Sequence, residues 1–196
     1  MNYLAHIYLS GADPDIQVGG LLGDFVKGPL TGEWPLAVEA GIRLHRHIDT
    51  ATDSHPLFCQ VLATLPSPWR RFGGILMDVY FDHLLASRWQ QFHREPLPDF
   101  CQRFYQQLEL HNSSLPPRAQ HFCQVAPKVN WLEGYANSDN LPVMLNNIGR
   151  RFRNPVPLAD ALPELHARQA LLGNCFNLLM TEHHDFARQF LRDIGD

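Results

Sequence analysis

Cysteine is scarce and scattered. Cys59, Cys101, Cys123 and Cys175 are the only four in 196 residues, and no two form a C-x-x-C pair. That spacing excludes a zinc ribbon and a dithiol redox motif, and it predicts buried free thiols in a reducing compartment. Long apolar runs are missing too. No stretch approaches the roughly 20 apolar residues of a membrane span, and the first residues lack a basic region followed by an apolar one. A cytoplasmic protein without a membrane partner is expected. Charge is sparse at 18%, with a formal net of −4, so the surface as a whole does not advertise nucleic-acid binding. A local basic patch stays compatible with that total. Alternating β-branched runs are absent, as are repeats and low-complexity tracts. The expectation is a single-domain, all-α helical bundle over residues 1–196.

What is present is a large apolar fraction, 45%, and eleven histidines. A chain this long removes roughly 70% of its unfolded surface from water. Helices are expected over residues 2–10, 14–25, 35–55, 56–64, 68–93, 97–111, 117–125, 128–136, 141–152 and 162–194. Asp13 and Pro14 suit a helix start, and Asn154-Pro155-Val156-Pro157 is the clearest linker.

Residues 41–53, GIRLHRHIDTATD, organise the chain. With an advance of about 100° per residue, Val38, Gly41, Ile42, Ile48 and Thr52 share a side with His45 and Asp49. Glu39, Arg43, Arg46 and His47 fall opposite, where a solvated His47 is expected. A carboxylate in an apolar stripe costs several kcal/mol unless a metal or strong ion pair offsets it. In residues 74–85, Asp78 and Asp82 are four apart, which places their side chains about 5–6 Å from each other on one helix face. Their repulsion calls for a cation between them, either a metal or arginines such as Arg43 or Arg71. His83 falls at the edge of that arc. Glycines around Asp24, in GGLLGDFVKG, permit close backbone approach, and Lys27 is a candidate phosphate contact. Walker spacing is missing there. His183 and His184 are expected at the surface. The mixture of imidazole and carboxylate suits Mn²⁺, Mg²⁺ or another transition metal.

Four stretches taken in order, Asn2-Tyr3-Leu4-Ala5-His6, residues 23–28 (GDFVKG), residues 45–53 (HRHIDTATD) and residues 78–83 (DVYFDH), resemble the acyl carrier protein phosphodiesterase family. The resemblance covers roughly the first half of the chain; the second half is similar mainly in length and helical character. It implies an unusual all-α branch of the HD-domain metal-dependent phosphohydrolases. It implies removal of 4′-phosphopantetheine from holo acyl carrier protein, supported by Mn²⁺. The ordinary HD dyad runs His-Asp; here Asp82-His83 is reversed.

On that reading His45, Asp49, Asp78 and Asp82 hold the metal. Asp24 is a further ligand or orients the attacking water. His83 or His6 is the general acid or a further ligand, and Lys27 or Arg43 meets developing charge. A strongly acidic carrier protein requires a local positive patch, for which Arg150, Arg151 and Arg153 are the densest candidates and Arg70 and Arg71 the second. Two alternatives are a metal phosphohydrolase for nucleotides or small phosphoesters, and a helical binding protein with buried ion pairs.

Overall fold

The structure is a computed structural model and describes residues 1–194. It contains ten α-helices and no strand among the described residues. They are α1 (Tyr3–Leu9), α2 (Pro14–Leu22), α3 (Leu36–Ser54), α4 (Pro56–Thr64), α5 (Gly73–Ser87), α6 (Leu97–Leu110), α7 (Pro117–Val125), α8 (Leu141–Gly149), α9 (Leu162–Ala167) and α10 (Gln169–Asp193). Short 3₁₀ turns fill most of the connections.

Local chemistry accounts for several boundaries. Asp13 accepts the N–H groups of Asp15 and Ile16 at 2.9 and 3.1 Å, and Pro14 opens α2. At α4, Pro56 occupies the first turn and His55 Nδ1 accepts the Leu57 N–H at 3.2 Å. Several expected boundaries move, and the helix expected over 14–25 stops at Leu22. The helix starting near Pro68 is a 3₁₀ turn (Trp69–Phe72) followed by α5, which ends at Ser87 rather than His93. Residues 128–136 are 3₁₀ turns around Asn130, whose φ of 48° no α-helix accepts. The helix expected over 141–152 stops at Gly149. The last helix is interrupted at Arg168, whose guanidinium instead holds the Glu164 carbonyl at 2.9 Å and its carboxylate at 2.7 Å.

The buried apolar side chains form one continuous core, with Leu4, Ile7, Leu21, Ile42, Leu44, Phe58, Phe81, Phe104 and Phe176 almost inaccessible. The tightest crossing joins α2 to α3. A Cβ on Gly19 would collide with the Val38 carbonyl, and one on Gly41 with the Ile16 carbonyl, so only glycine at both positions lets the two backbones meet. That crossing carries α3, with His45 and Asp49, against the end of α2, where α1 also packs. None of the described helices is long and apolar enough to cross a membrane.

Candidate active site

Three helices deliver one cluster. α1 supplies His6 and α3 supplies His45 and Asp49; the end of α2 supplies the carbonyl that orients His45. The donor atoms of His6, His45 and Asp49 all lie within 4.8 Å of one another. His6 Nε2 stands 3.0 Å from Asp49 Oδ1, and His45 Nε2 stands 3.1 Å from Asp49 Oδ2. The imidazoles stack at 3.6 Å between centroids, inclined by 22°. Both are buried, while the Asp49 side chain is 40% exposed and opens the cluster to solvent.

His45 Nδ1 lies 2.7 Å from the Gly20 carbonyl. That contact requires the proton on Nδ1, so in the neutral ring Nε2 presents a lone pair to Asp49. Two acceptors at that separation repel unless a cation or an added proton lies between them. Burial, then the neighbouring His45, pushes His6 down to about 3, so it stays neutral, and its Nδ1 is buried without a partner. Burial favours the acid form of Asp49, but its contacts with the His45 and His6 rings outweigh it and hold its carboxyl far below the usual range. Two imidazoles around an ionised carboxylate, with no thiolate, match the donor preference of a borderline divalent ion, although His6 Nε2 also stands 3.0 Å from the Met1 carbonyl.

Asp24, half-buried, borders the cluster. Burial raises its pKa, and the proximity of His45 and Lys27 opposes that rise. Gly23 is the reason it comes so close: a Cβ there would run into the His45 ring. A cleft of about 310 Å³ opens over Asp49 and His45, lined also by Lys27, Gly28 and Arg46. Arg46 was expected on the outer face. The segment after α2 folds over that face instead, and an Arg46 Nη2–H donates to the Val26 carbonyl at 3.0 Å.

Asp78 and Asp82 are not brought into the three-donor group. Asp82 is wholly buried, and its two oxygens accept the Leu4 N–H at 2.8 Å and the Ala5 N–H at 3.1 Å. It caps α1 from another helix, where Asn2 provides no side-chain cap. Burial raises its pKa to about 7 despite those two bonds. Asp78 pairs with the Met1 α-amine at 2.9 Å, which also lies 3.7 Å from Asp49. Burial works against that amine, but Asp78 and Asp49 raise it to about 10. The cation expected beside Asp78 is therefore the α-amine rather than Arg43 or Arg71. His83 turns away, its Nδ1 2.8 Å from the Tyr135 carbonyl. Arg43 pairs with Glu39 at 3.3 Å. Glu39, expected in solvent, is buried beneath the turn before α3, where it accepts the Gly32 N–H at 2.8 Å.

The arginine clusters, far apart in sequence, meet in space. Phe72 and Phe152 pack at 5.5 Å between centroids, and the Arg71 guanidinium lies 4.6 Å from the Phe72 centroid. Arg70, Arg71, Arg150, Arg151 and Arg153, all exposed, flank that pair in sequence. His47 is exposed as expected, but His183 is buried, with Nε2 2.8 Å from Thr52 Oγ1. Cys101, Cys123 and Cys175 are buried free thiols, whereas Cys59 is exposed.

The family profile described as "Acyl carrier protein phosphodiesterase" matches residues 1–183, which include every member of the cluster. The chain belongs to that family. An acyl carrier protein phosphodiesterase of Serratia proteamaculans (strain 568) is 36% identical over 194 residues, covering 97% of this chain and 92% of the relative. One from Yersinia pestis is 36% identical over 177 residues, covering 90% and 92%. One from Escherichia coli O157:H7 (strain EC4115 / EHEC) is 32% identical over 177 residues, covering 90% and 92%. No solved structure matches the chain. The first half of a family member thus carries the cluster, and the second half carries most of the arginines.

Proposed function

We propose that this chain is a metal-dependent phosphodiesterase. It hydrolyses the diester joining 4′-phosphopantetheine to a serine of holo acyl carrier protein, releasing the apo protein and free 4′-phosphopantetheine. Family membership supports the substrate. The convergence of His6, His45 and Asp49 on one point supports the metal and carries the reading.

His6, His45 and Asp49 would hold the ion, Mn²⁺ by preference. When bound, it neutralises phosphoryl charge and makes water more acidic. The remaining steps belong to the side chains. Gly20 fixes the His45 ring so that Nε2 faces the cleft. Asp24, at the border of the cluster, orients the attacking water. Lys27 and Arg46, at the mouth of the cleft, meet charge on the phosphoryl oxygens. Water adds its oxygen to phosphorus, the bond from phosphorus to the serine oxygen breaks, and that oxygen leaves with a proton. The five arginines around Phe72 and Phe152 dock the acidic carrier protein.

Conversion of holo to apo carrier protein, followed by gel mobility with Mn²⁺ and with a chelator, tests this reading. Conversion only with metal is expected. A metal-loaded protein that cleaves small phosphoesters but leaves the holo carrier intact would move the substrate to that smaller class.

A further inference from the structure

A second, larger concavity begins at side chains close in sequence to those of the site. It is a half-open groove of about 700 Å³ along α7 and the turn after it, with Phe122, Val125 and Trp131 along its length. Tyr3 and Phe25 form its other end. Both belong to the site's own segments: Phe25 directly follows Asp24, and Tyr3 lies one helical turn before His6. Tyr3 packs against Phe25 at 5.9 Å and against Phe122 at 5.1 Å, so the aromatic floor runs unbroken from beside Asp24 into the groove.

The groove combines cationic and apolar surface. Arg118 and Arg151 both line the groove. After burial, the fields acting on the Tyr3 phenol are those of Asp24 and Asp82, which raise it, and of Arg151 and Arg118, which lower it. The two guanidiniums therefore lie within electrostatic reach of the end that borders Asp24. Phe122, Val125, Ala126 and Trp131 supply its apolar wall, with His121 beside them. The Trp131 indole N–H is buried without a hydrogen-bond partner. The Tyr135 hydroxyl, which accepts from Asn2 Nδ2 at 2.7 Å, lies beside it with a second lone pair.

We propose that this groove holds the pantetheine arm of the substrate while its phosphodiester lies over His45 and Asp49. This assignment rests on the phosphodiesterase reading above. The arm has the matching polarity. It begins at an anionic phosphate, continues through a geminal dimethyl carbon and two neutral amides, and ends in a thiol. Its anionic end belongs between Arg118 and Arg151 and the cluster. Its dimethyl carbon belongs on the Tyr3 and Phe25 rings. Its amide and thiol end belongs along Phe122, Val125 and Trp131. The groove thereby reads the arm, and the arginine surface reads the carrier protein.

A photoreactive arm tests this. Carrier protein bearing a diazirine on its pantetheine thiol is mixed with the wild-type enzyme, photolysed at once, and the labelled peptides are mapped. Unmodified holo carrier is assayed in parallel, and steady-state constants are compared for the wild type and Val125→Trp, which fills the groove without removing a core side chain. Labels within residues 117–131, with KM for holo carrier raised at least about tenfold by Val125→Trp, are expected. Conversion of holo carrier with labels elsewhere, or with an unchanged KM in Val125→Trp, overturns the groove and leaves the phosphodiesterase reading standing. No conversion of holo carrier by the wild type overturns the reading itself, and the groove's occupant with it.

Discussion

Asp49 and Asp82 show how the same residue type does different work on two different helices. Asp49 is ionised, half-open and flanked by two imidazole nitrogens; Asp82 is sealed in the core and bonded to two backbone N–H groups. Asp49→Ala is expected to lower kcat/KM by about 10³-fold or more while the protein stays folded. Asp82→Ala leaves two N–H groups of α1 unsatisfied and should destabilise by about 2–4 kcal/mol, read from urea unfolding. An inactive Asp82→Ala of normal stability would instead return Asp82 to the ligand set. The pairing of His45 with Asp49 was legible because both lie on one stripe of one helix. The role of Asp82 was not, because its partners are backbone groups 78 and 77 residues away. The same holds for Asp78, whose partner is the α-amine and not a side chain.

Elements are joined by contacts that admit little change. At the crossing of α2 and α3, Gly19→Ala or Gly41→Ala places a methyl group inside the facing carbonyl and should cost about 3 kcal/mol or more, measured by thermal or urea unfolding. Gly23→Ala should act more locally, displacing the His45 ring and lowering activity at least about tenfold. The joint between α3 and α10 is a pH-sensitive contact. Burial lowers His183 from 6.5 to about 4, so the folded protein resists protonating it more than the unfolded chain does. The stability tied to neutral His183 is full above about 6.5 and is lost as pH falls towards about 4, a change of about 1–3 kcal/mol. His183→Gln should flatten that part of the stability profile; an unaltered slope would place the titration elsewhere. Most helices were readable from apolar spacing and from proline and aspartate at their starts. The interruption at Arg168 and the 3₁₀ turns around Asn130 were not, since a packed turn and a helix share the same apolar content there. The adjacent His183 and His184 were both expected at the surface, yet α10 turns His183 inward and leaves His184 at the rim.

For the whole molecule, a net charge of −4 coexists with five exposed arginines gathered around one aromatic pair. Each cluster was visible in the sequence; their meeting depends on α8 packing against α5. Replacing Arg150, Arg151 and Arg153 together by Glu should raise KM for holo carrier protein at least about tenfold and flatten the salt dependence of kcat/KM. An unchanged KM would remove that surface from docking. The central claim is that His6, His45 and Asp49 form a metal-dependent centre for cleaving the carrier-bound arm. The most direct measurement is metal content and holo-to-apo conversion, taken on the same samples of wild type and Asp49→Ala. The wild type should bind a divalent ion and convert the carrier, and Asp49→Ala should remain folded while losing both. A folded Asp49→Ala that still binds metal and converts the carrier would contradict the account.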